Sequence, residues 1–375
     1  MTVSTVPFAR ILSTGLYTPP HAISNEELVT AFNAWVEKWN AENPDQPPKE
    51  GSSAAFIEKA SGIKSRFVMD KDGILDVDRM RPNLAERGDD EVSLMAEIAV
   101  EAGKDAMSTA GLGPQDIDAV LCAASNMQRQ YPAMAVEIQD ALGIKGYAFD
   151  MNVACASAAF GIQTAIGFLH TGAKNILMVN PEICTAHINF KDRDGHFIFG
   201  DVATAMIISR AEGEARKGQF DIIDAHLVTE FSNNIRNNMG FLDPATNSVI
   251  DLNDPSTDKL FKQRGRSVFK EVVPLVSEMI AGHLAANDIP LTDIKRLWLH
   301  QANLSMNMLI AKRIFGRDPS PEEAPVVLDT YANTSSAGSI IAFHQYHDDM
   351  VLGDLGVISG FGAGYSAGSV IVRAG

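Results

Sequence analysis

The chain has 375 residues, 46% of them hydrophobic, with three cysteines and a formal net charge of −16. That length holds one large domain or two fused halves, and that charge disfavours nucleic acid as a bulk partner, leaving at most a local basic patch for an anionic one. No apolar run reaches the roughly 20 residues needed to span a bilayer, MTVSTVPFARILSTG lacks a basic segment followed by an apolar core, and the widely spaced Cys122, Cys155 and Cys184 make neither a disulfide framework nor a zinc cluster, so a cytoplasmic protein is expected.

In chain order, FARILSTGLYTP predicts a strand that turns at Pro19 and Pro20. The segment from Asn25 to about Arg66 reads as a polar helix broken by the loop AENPDQPPKEGSS, and a second irregular run spans Met69 to Asp90. Both read as surface insertions or lids, with a disordered loop as the plain alternative. From Glu91 the pattern is regular. SLMAEIAVEAGKDAMSTAG is helical and closes on Gly111, DIDAVLCAAS is an apolar strand, and YPAMAVEIQDALG is a helix. YAFDMNVAC is a strand, SAAFGIQTAIGFLHTG a helix and NILMVNPE a strand. Apolar strands alternating with helices imply a buried sheet covered on both faces.

The second half echoes the first. KRLWLHQAN parallels DAVLCAASN, SMNMLIAKRIFG parallels AMAVEIQDALG, and VVLDTYANTSSAGSIIAFHQ parallels YAFDMNVACASAAFGIQTAI. In each half a strand ending at Asn126 or Asn303 is followed, about 25 residues on, by a strand ending in Asp and a small-residue helix. This predicts an internal duplication, 1–209 and 210–375, with insertions at about 33–90. The register sets Cys155 opposite Thr334, beside Asn333, so that two helix starts face each other near a pseudo-two-fold axis.

Three residues carry the candidate chemistry. Cys155 ends a strand and starts a helix, where unpaired N–H groups would lower a thiol pKa and supply an oxyanion donor. Alone in VACASAAFG it reads rather as a buried structural cysteine. His300 follows an apolar strand in LWLHQAN, the end of a strand that faces a ligand crevice in α/β bodies, or it is a satisfied core histidine. Asn333 sits at the second strand-to-helix junction, as a cap or as a donor. The glycine-dense ISGFGAGYSAGS lets backbone N–H groups approach a carbonyl closely, or is a plain turn.

With these motifs, DRDGHFIFGDVATA (Asp192 to Ala205), SGIKSR (Ser61 to Arg66) and NTSSAGS (Asn333 to Ser339), the sequence resembles a β-ketoacyl-acyl-carrier-protein synthase of the type III class, in the thiolase superfamily. The resemblance runs from Gly15 almost to the end. It implies a five-layer αβαβα fold, a homodimer, and a Cys155, His300, Asn333 triad. It implies an oxyanion hole from the amides of Cys155 and Ala363, the latter flanked by Gly362 and Gly364 in a loop where the family usually has Gly for Ala363. Arg193 matches an arginine that stacks near the adenine of coenzyme A. Tyr131 matches a residue that reaches the partner subunit's acyl pocket.

The implied chemistry is acyl transfer from an acyl-coenzyme A to Cys155, then decarboxylative condensation with malonyl carrier protein in fatty acid synthesis, with no metal or other cofactor. Phe56 stands where many members have Trp, Ala60 where they have Arg, and Ser305 follows HQANL where they have Arg. Docking of an acidic carrier protein then falls to Lys262, Arg264, Arg266 and Lys270 in KLFKQRGRSVFK, or those residues are a solvated helix face. The extra length between Asn33 and Asp90 suggests an acyl pocket remodelled for a medium chain. A non-decarboxylating acyltransferase or head-to-head condensing relative shares the triad. A thiolase would need a second cysteine in the glycine loop, and none is there. A papain-like hydrolase would carry its Cys near the N-terminus in a different context. An idle homologue is the remaining alternative.

Overall fold

Strand β1 (Ala9–Tyr17) opens the fold in the computed structural model, which describes residues 8–245, 251 and 259–375. A short antiparallel pair follows, β2 (His21–Ser24) with β3 (Ser65–Val68), and between them lie α1 (Asn25–Glu42) and α2 (Ala54–Ser61). Ser24 accepts a bond from the Glu27 amide while the Glu27 carboxylate accepts one from the Ser24 amide, a reciprocal cap that fixes where α1 starts. Helix α2 ends on Gly62 at φ +86°, and the chain then extends. The expected helical stretch from Asn25 to Arg66 is therefore shorter: Arg66 lies in β3.

After α3 (Asp72–Leu75) and an irregular run, the regular part begins. Its elements are α4 (Leu94–Ala110), β4 (Ala119–Ala123), α5 (Met134–Leu142), β5 (Tyr147–Met151), α6 (Ser157–His170), β6 (Asn175–Ile183) and β7 (Asp201–Arg210). The second half has β8 (Phe220–Ser232), a small hairpin of β9 (Ile235–Asn237) and β10 (Phe261–Gln263), and α7 (Gly265–Ala286). It continues with β11 (Ile294–Leu299), α8 (Leu304–Phe315), α9 (Leu328–Tyr331), α10 (Gly338–Gln345), β12 (Leu355–Gly362) and β13 (Gly364–Ala374).

The main sheet runs β11-β12-β13-β8-β1-β7-β6-β4-β5. Outward from the centre, β1 leads to β7, β6, β4 and β5, and β8 leads to β13, β12 and β11. The directions match step for step: antiparallel, antiparallel, then parallel. The counterpart of β5 is missing. The expected strand in VVLDT is instead the short helix α9, and Asn333 makes only an isolated bridge to Phe199. The cause is local. Gln301 Oε1 accepts from the amides of both Val327 and Leu328, and the carbonyls of Asp329 and Thr330 bond to Lys64 and Ser65, which draws this segment away from the sheet.

Five layers result. Helices α4 and α5 cover the outer face of the first half-sheet, and α7 and α8 that of the second. Between the half-sheets lie α6 and α10, and α6 touches strands of both halves. The alanine-rich composition of α6 follows from that position. A Cβ added at Gly368 of β13 would lie 2.6 Å from the Ala159 Cβ, and one at Gly161 would lie 2.5 Å from the Met178 sulfur. Small residues are what allow two sheets to close on one helix. A fourth apolar cluster, built on α1, α2 and Phe197 to Phe199, caps one end. Buried Arg66 ties it down by donating to the Ile23 and Phe197 carbonyls and to Asn25.

Ala159→Leu is expected to cost about 1–3 kcal/mol through overpacking, measured by equilibrium urea unfolding. An unchanged midpoint would mean that the layers are not in close contact at α6.

Candidate active site

Strand β5 ends at Met151, and Cys155 lies four residues further on, in a 3-10 turn, Ala154–Ala156, that leads into α6. Asn152 Oδ1 accepts from the Ala154 amide at 2.9 Å, and Ala154 takes φ +48°, a left-handed conformation rare outside glycine. The second half repeats this. Asn333 Oδ1 accepts from the Ser335 amide at 2.8 Å, Ser335 has φ +50°, and a 3-10 turn Ser335–Ala337 leads into α10. The repeat thus pairs Asn152 with Asn333 and Cys155 with Ser336. The expected pairing of Cys155 with Thr334 is out by two residues, because small residues on both sides of the turn offer several equivalent registers and only the Asn–amide bond selects one.

Four groups surround the Cys155 sulfur. Ser335 Oγ is 3.4 Å away, and the backbone amides of Cys155 and Ala363 hydrogen-bond to it. Strand β12 lies against it so closely that a Cβ on Gly362 would be 2.7 Å from the Cys155 Cβ and 3.0 Å from Sγ. Ala363 is tolerated because the positive φ of this loop falls on Gly364, at +135°. The electrostatics differ from expectation. Burial pushes the thiol up to about 11, and the charge of Glu182 adds to that, against the Ser335 hydroxyl and the two amides. The helix start does not make a resting thiolate, because desolvation in a closed site outweighs a few donors. Cys155 rests as a thiol.

His300 follows β11, its amide donating to the Ser359 carbonyl at 2.8 Å, and its ring stands edge-on to Phe361 with centroids 5.3 Å apart. Burial lowers its pKa to about 4, so the imidazole is neutral at ordinary pH, and its Nδ1 has no partner. In HQAN only His300 is left for chemistry. Gln301 holds the segment before Asn333, donating to the Leu299 carbonyl as it accepts from Val327 and Leu328, and Asn303 caps α8 while donating to the Ala60 carbonyl. Asn333 is fixed by its own amide, which donates to the Ile198 carbonyl at 3.0 Å. Since its Oδ1 is committed to Ser335, its NH2 is the group left to donate.

Cys155, His300, Asn333 and Gly362 share one cavity of about 810 Å³, which opens past Phe197 to Phe56, Arg266 and Lys270. At its mouth the Arg193 guanidinium lies 4.4 Å over the Phe56 ring, and Arg193 Nε donates to the Gly51 carbonyl. Behind the sulfur a second cavity, about 130 Å³, is lined by Ala154, Cys184, Ser335 and Ala363. Asn126 and His187 also line a third cavity, about 250 Å³, whose wall includes Leu84, Leu94, Met95, Met127 and Ile183 with Gln128 and Glu182. Leu84 belongs to the irregular run after α3. Tyr131 is 86% exposed and lines none of these three cavities. Lys262 is 3.7 Å from Asp192, and Arg264 immediately precedes α7. Ser335, Gln301 and Glu182 were not singled out from sequence. The Asn-x-Ser spacing shared by Asn333 and Ser335 could have pointed to the first of them.

Two family models match the chain: 3-oxoacyl-[acyl-carrier-protein] synthase III over residues 149–230, and the C-terminal model of that synthase over 284–374. The chain is 57% identical over 350 residues to a β-ketodecanoyl-[acyl-carrier-protein] synthase of Pseudomonas aeruginosa, covering 92% of this chain and 99% of the relative. It is 31% identical over 363 residues to a β-ketoacyl-[acyl-carrier-protein] synthase III of Acidiphilium cryptum, covering 96% and 97%. The crystal structure of 3-oxoacyl-[acyl-carrier-protein] synthase III from Aquifex aeolicus superposes with a TM-score of 0.75 at 23% identity, over 97% of this chain and 99% of that one.

With the thiol at about 11, iodoacetamide labelling of Cys155 is expected to rise about tenfold per pH unit from 7 to 10. Peptide mapping should find Cys122 and Cys184 unlabelled, since both are buried. A plateau below pH 9 would contradict the thiol resting state.

Proposed function

The chain belongs to the 3-oxoacyl-[acyl-carrier-protein] synthase III family of condensing acyltransferases, which join an acyl group to malonyl-acyl-carrier protein in fatty acid synthesis, and from that premise we propose that its acyl donor is octanoyl-coenzyme A and that Cys155, His300 and Asn333 perform the reaction. The observation that carries the assignment of residues is the Cys155 sulfur, packed against Gly362 and 3.4 Å from Ser335 Oγ, in a cavity shared with His300 and Asn333. The chain length follows from two others. The relative at 57% identity is named for a β-ketodecanoyl product, ten carbons, of which malonyl contributes two after decarboxylation. Two further cavities lie near the sulfur, the farther one lined by Leu84, Leu94, Met95, Met127 and Ile183 together with the polar Asn126, Gln128, Glu182 and His187.

The Cys155 thiol gives up its proton to water as its sulfur attacks the thioester carbonyl, and the departing coenzyme A thiolate takes one up. The tetrahedral oxygen accepts from the amides of Cys155 and Ala363. The carbon–sulfur bond to coenzyme A then breaks, and coenzyme A leaves as a thiol, so the transfer is proton-neutral overall. A raised thiol pKa suits this sequence, because sulfur is activated only with a donor in place. Malonyl thioester enters by the same cavity, and its carbonyl oxygen accepts from neutral His300 and from the NH2 of Asn333. The bond to the carboxylate breaks, carbon dioxide departs, and the electron pair becomes the enolate those donors stabilise. The enolate carbon attacks the acyl-Cys155 carbonyl, the carbon–sulfur bond breaks, and Cys155 recovers a proton. A neutral His300 is the correct form for donation, and no base is needed.

The remaining assignments rest on placement. Arg193 stacks directly on Phe56 at the cavity mouth, where an adenine ring would lie against the outer face of that pair. Arg266 and Lys270 line the entrance, and with Arg264 and Lys262 they are the cations for an acidic carrier protein. The homodimer reading is supported by exposed Tyr131, together with Tyr147 on the unpaired edge of β5. The division into 1–209 and 210–375 falls at the last residue of β7, just before the connection to β8, and no described helix is long and apolar enough to cross a membrane.

Intact-protein mass spectrometry with coenzyme A thioesters of two to twelve carbons tests the donor: the adduct on Cys155 is expected to form fastest with octanoyl, and a preference for acetyl would overturn the assignment. Leu84→Trp, which fills the far cavity, is expected to move the optimum to shorter chains by at least tenfold in relative kcat/KM. His300→Ala should still acylate Cys155 but lose decarboxylation about 100-fold or more. Because His300 stays neutral down to about pH 4, malonyl decarboxylation should be flat from pH 5.5 to 8; a limb near 6.5 would contradict its role as a neutral donor.

A further inference from the structure

Glu182 is 1% exposed, and the mechanism above does not use it. Its place follows from the internal repeat. In the parallel ladders Cys122 pairs with Val179 and Leu299 with Ser359, and Cys122 and Leu299 are themselves equivalent in DAVLCAASN and KRLWLHQAN. Three residues further on, Glu182 of β6 is the counterpart of Gly362 of β12. The antiparallel ladders agree, with Glu182 opposite Val202 and Gly362 opposite Ser366.

The two counterparts face two equivalent turns. Gly362 presses its bare backbone against Cys155. Glu182 presses its carboxylate against Ser336, the equivalent of Cys155. That carboxylate accepts from the Ser336 amide at 3.2 Å and from the Ser336 hydroxyl, and from the Ser125 amide at 2.9 Å and the Ser125 hydroxyl. The Ser336 amide is the counterpart of the Cys155 amide. The carboxylate therefore sits where an oxyanion would sit if the second half had kept a site of its own.

We propose that Glu182 is a positioning residue: it plugs the equivalent site in the second half, clamps the turn that aims Ser335 and Asn333 at Cys155, and sets a fixed negative charge beneath the nucleophile. The clamp acts through one residue on each side. Ser336 is tied to Glu182, Ser335 beside it reaches the sulfur at 3.4 Å, and the Ser335 amide holds Asn333 Oδ1. The charge acts on a sulfur whose other titratable neighbours are Cys184, 3.7 Å from Glu182, with His300 across the entry cavity and His187 and Arg236 in the wall behind. Burial pushes the Glu182 carboxyl upward, and the four donors from Ser125 and Ser336 act against that. The inference rests on Cys155 as the nucleophile but not on the identity of the acyl donor.

The test compares wild type, Glu182→Gln and Ser336→Ala in three readouts: iodoacetamide labelling of Cys155 at pH 8, kcat and KM for acyl transfer, and melting temperature. Glu182→Gln removes the charge and mismatches the donors. It is expected to raise labelling about fivefold and lower kcat about tenfold, with KM for octanoyl-coenzyme A within about threefold of wild type. Ser336→Ala keeps the charge and loosens the clamp, so kcat should fall with labelling unchanged. Labelling of Glu182→Gln equal to wild type, or kcat losses that only follow the melting temperature, would overturn the proposal. Should Glu182→Gln fail to fold, an unchanged kcat in Ser336→Ala overturns it alone. If wild-type Cys155 is labelled yet accepts no acyl group, the donor assignment fails while the labelling comparison still decides the role of Glu182.

Discussion

A Cβ on Gly362 would stand 2.7 Å from the Cβ of Cys155, and the rest of the site depends on that space being empty. Because it is empty, a strand of the second half lies directly on a helix start of the first. The contact brings the Ala363 amide close enough to act on the sulfur together with the amide of Cys155 itself. Neither half contains a site alone. Cys155 comes from the first, and His300, Asn333 and the glycine loop from the second. The same packing explains the helix behind the nucleophile, since alanines at 158, 159 and 165 let two sheets close on α6.

Burial then decides the protonation states. It keeps the Cys155 thiol protonated and the His300 ring neutral. In an open site those two groups would pair as thiolate and imidazolium, the arrangement of a hydrolytic triad. In this one they rest as thiol and neutral imidazole, the states that the proposed separate half-reactions require.

Much of this was legible in the sequence. Strands in DAVLCAAS and NILMVNPE, helices closed by Gly111 and Gly143, and a strand end at His300 follow from periodicity and capping chemistry that act locally. The motifs named the triad, and the structure places all three residues on one cavity. What was not legible depended on distant partners. VVLDT has the β-branched residues of a strand, but the side chain of Gln301 takes the amides a sheet would need. The register between Cys155 and Ser336 is set by an Asn–amide bond hidden among interchangeable small residues. The raised thiol pKa comes from desolvation by residues of both halves, which no local pattern around Cys155 encodes. Glu182 looks like an ordinary strand end until its partners Ser125 and Ser336, 57 and 154 residues away, are seen beside it.

The central claim is that an acyl group on Cys155 points its carbonyl oxygen at the amides of Cys155 and Ala363 and its chain into the cavities behind the sulfur. A crystal structure of the enzyme acylated with octanoyl tests this most directly. The account predicts the thioester oxygen within about 2.7–3.1 Å of both amide nitrogens, with the chain passing Asn126 and His187 toward Leu84. An oxygen turned toward His300 and Asn333, or a chain lying in the entry cavity beside Phe197, would contradict it.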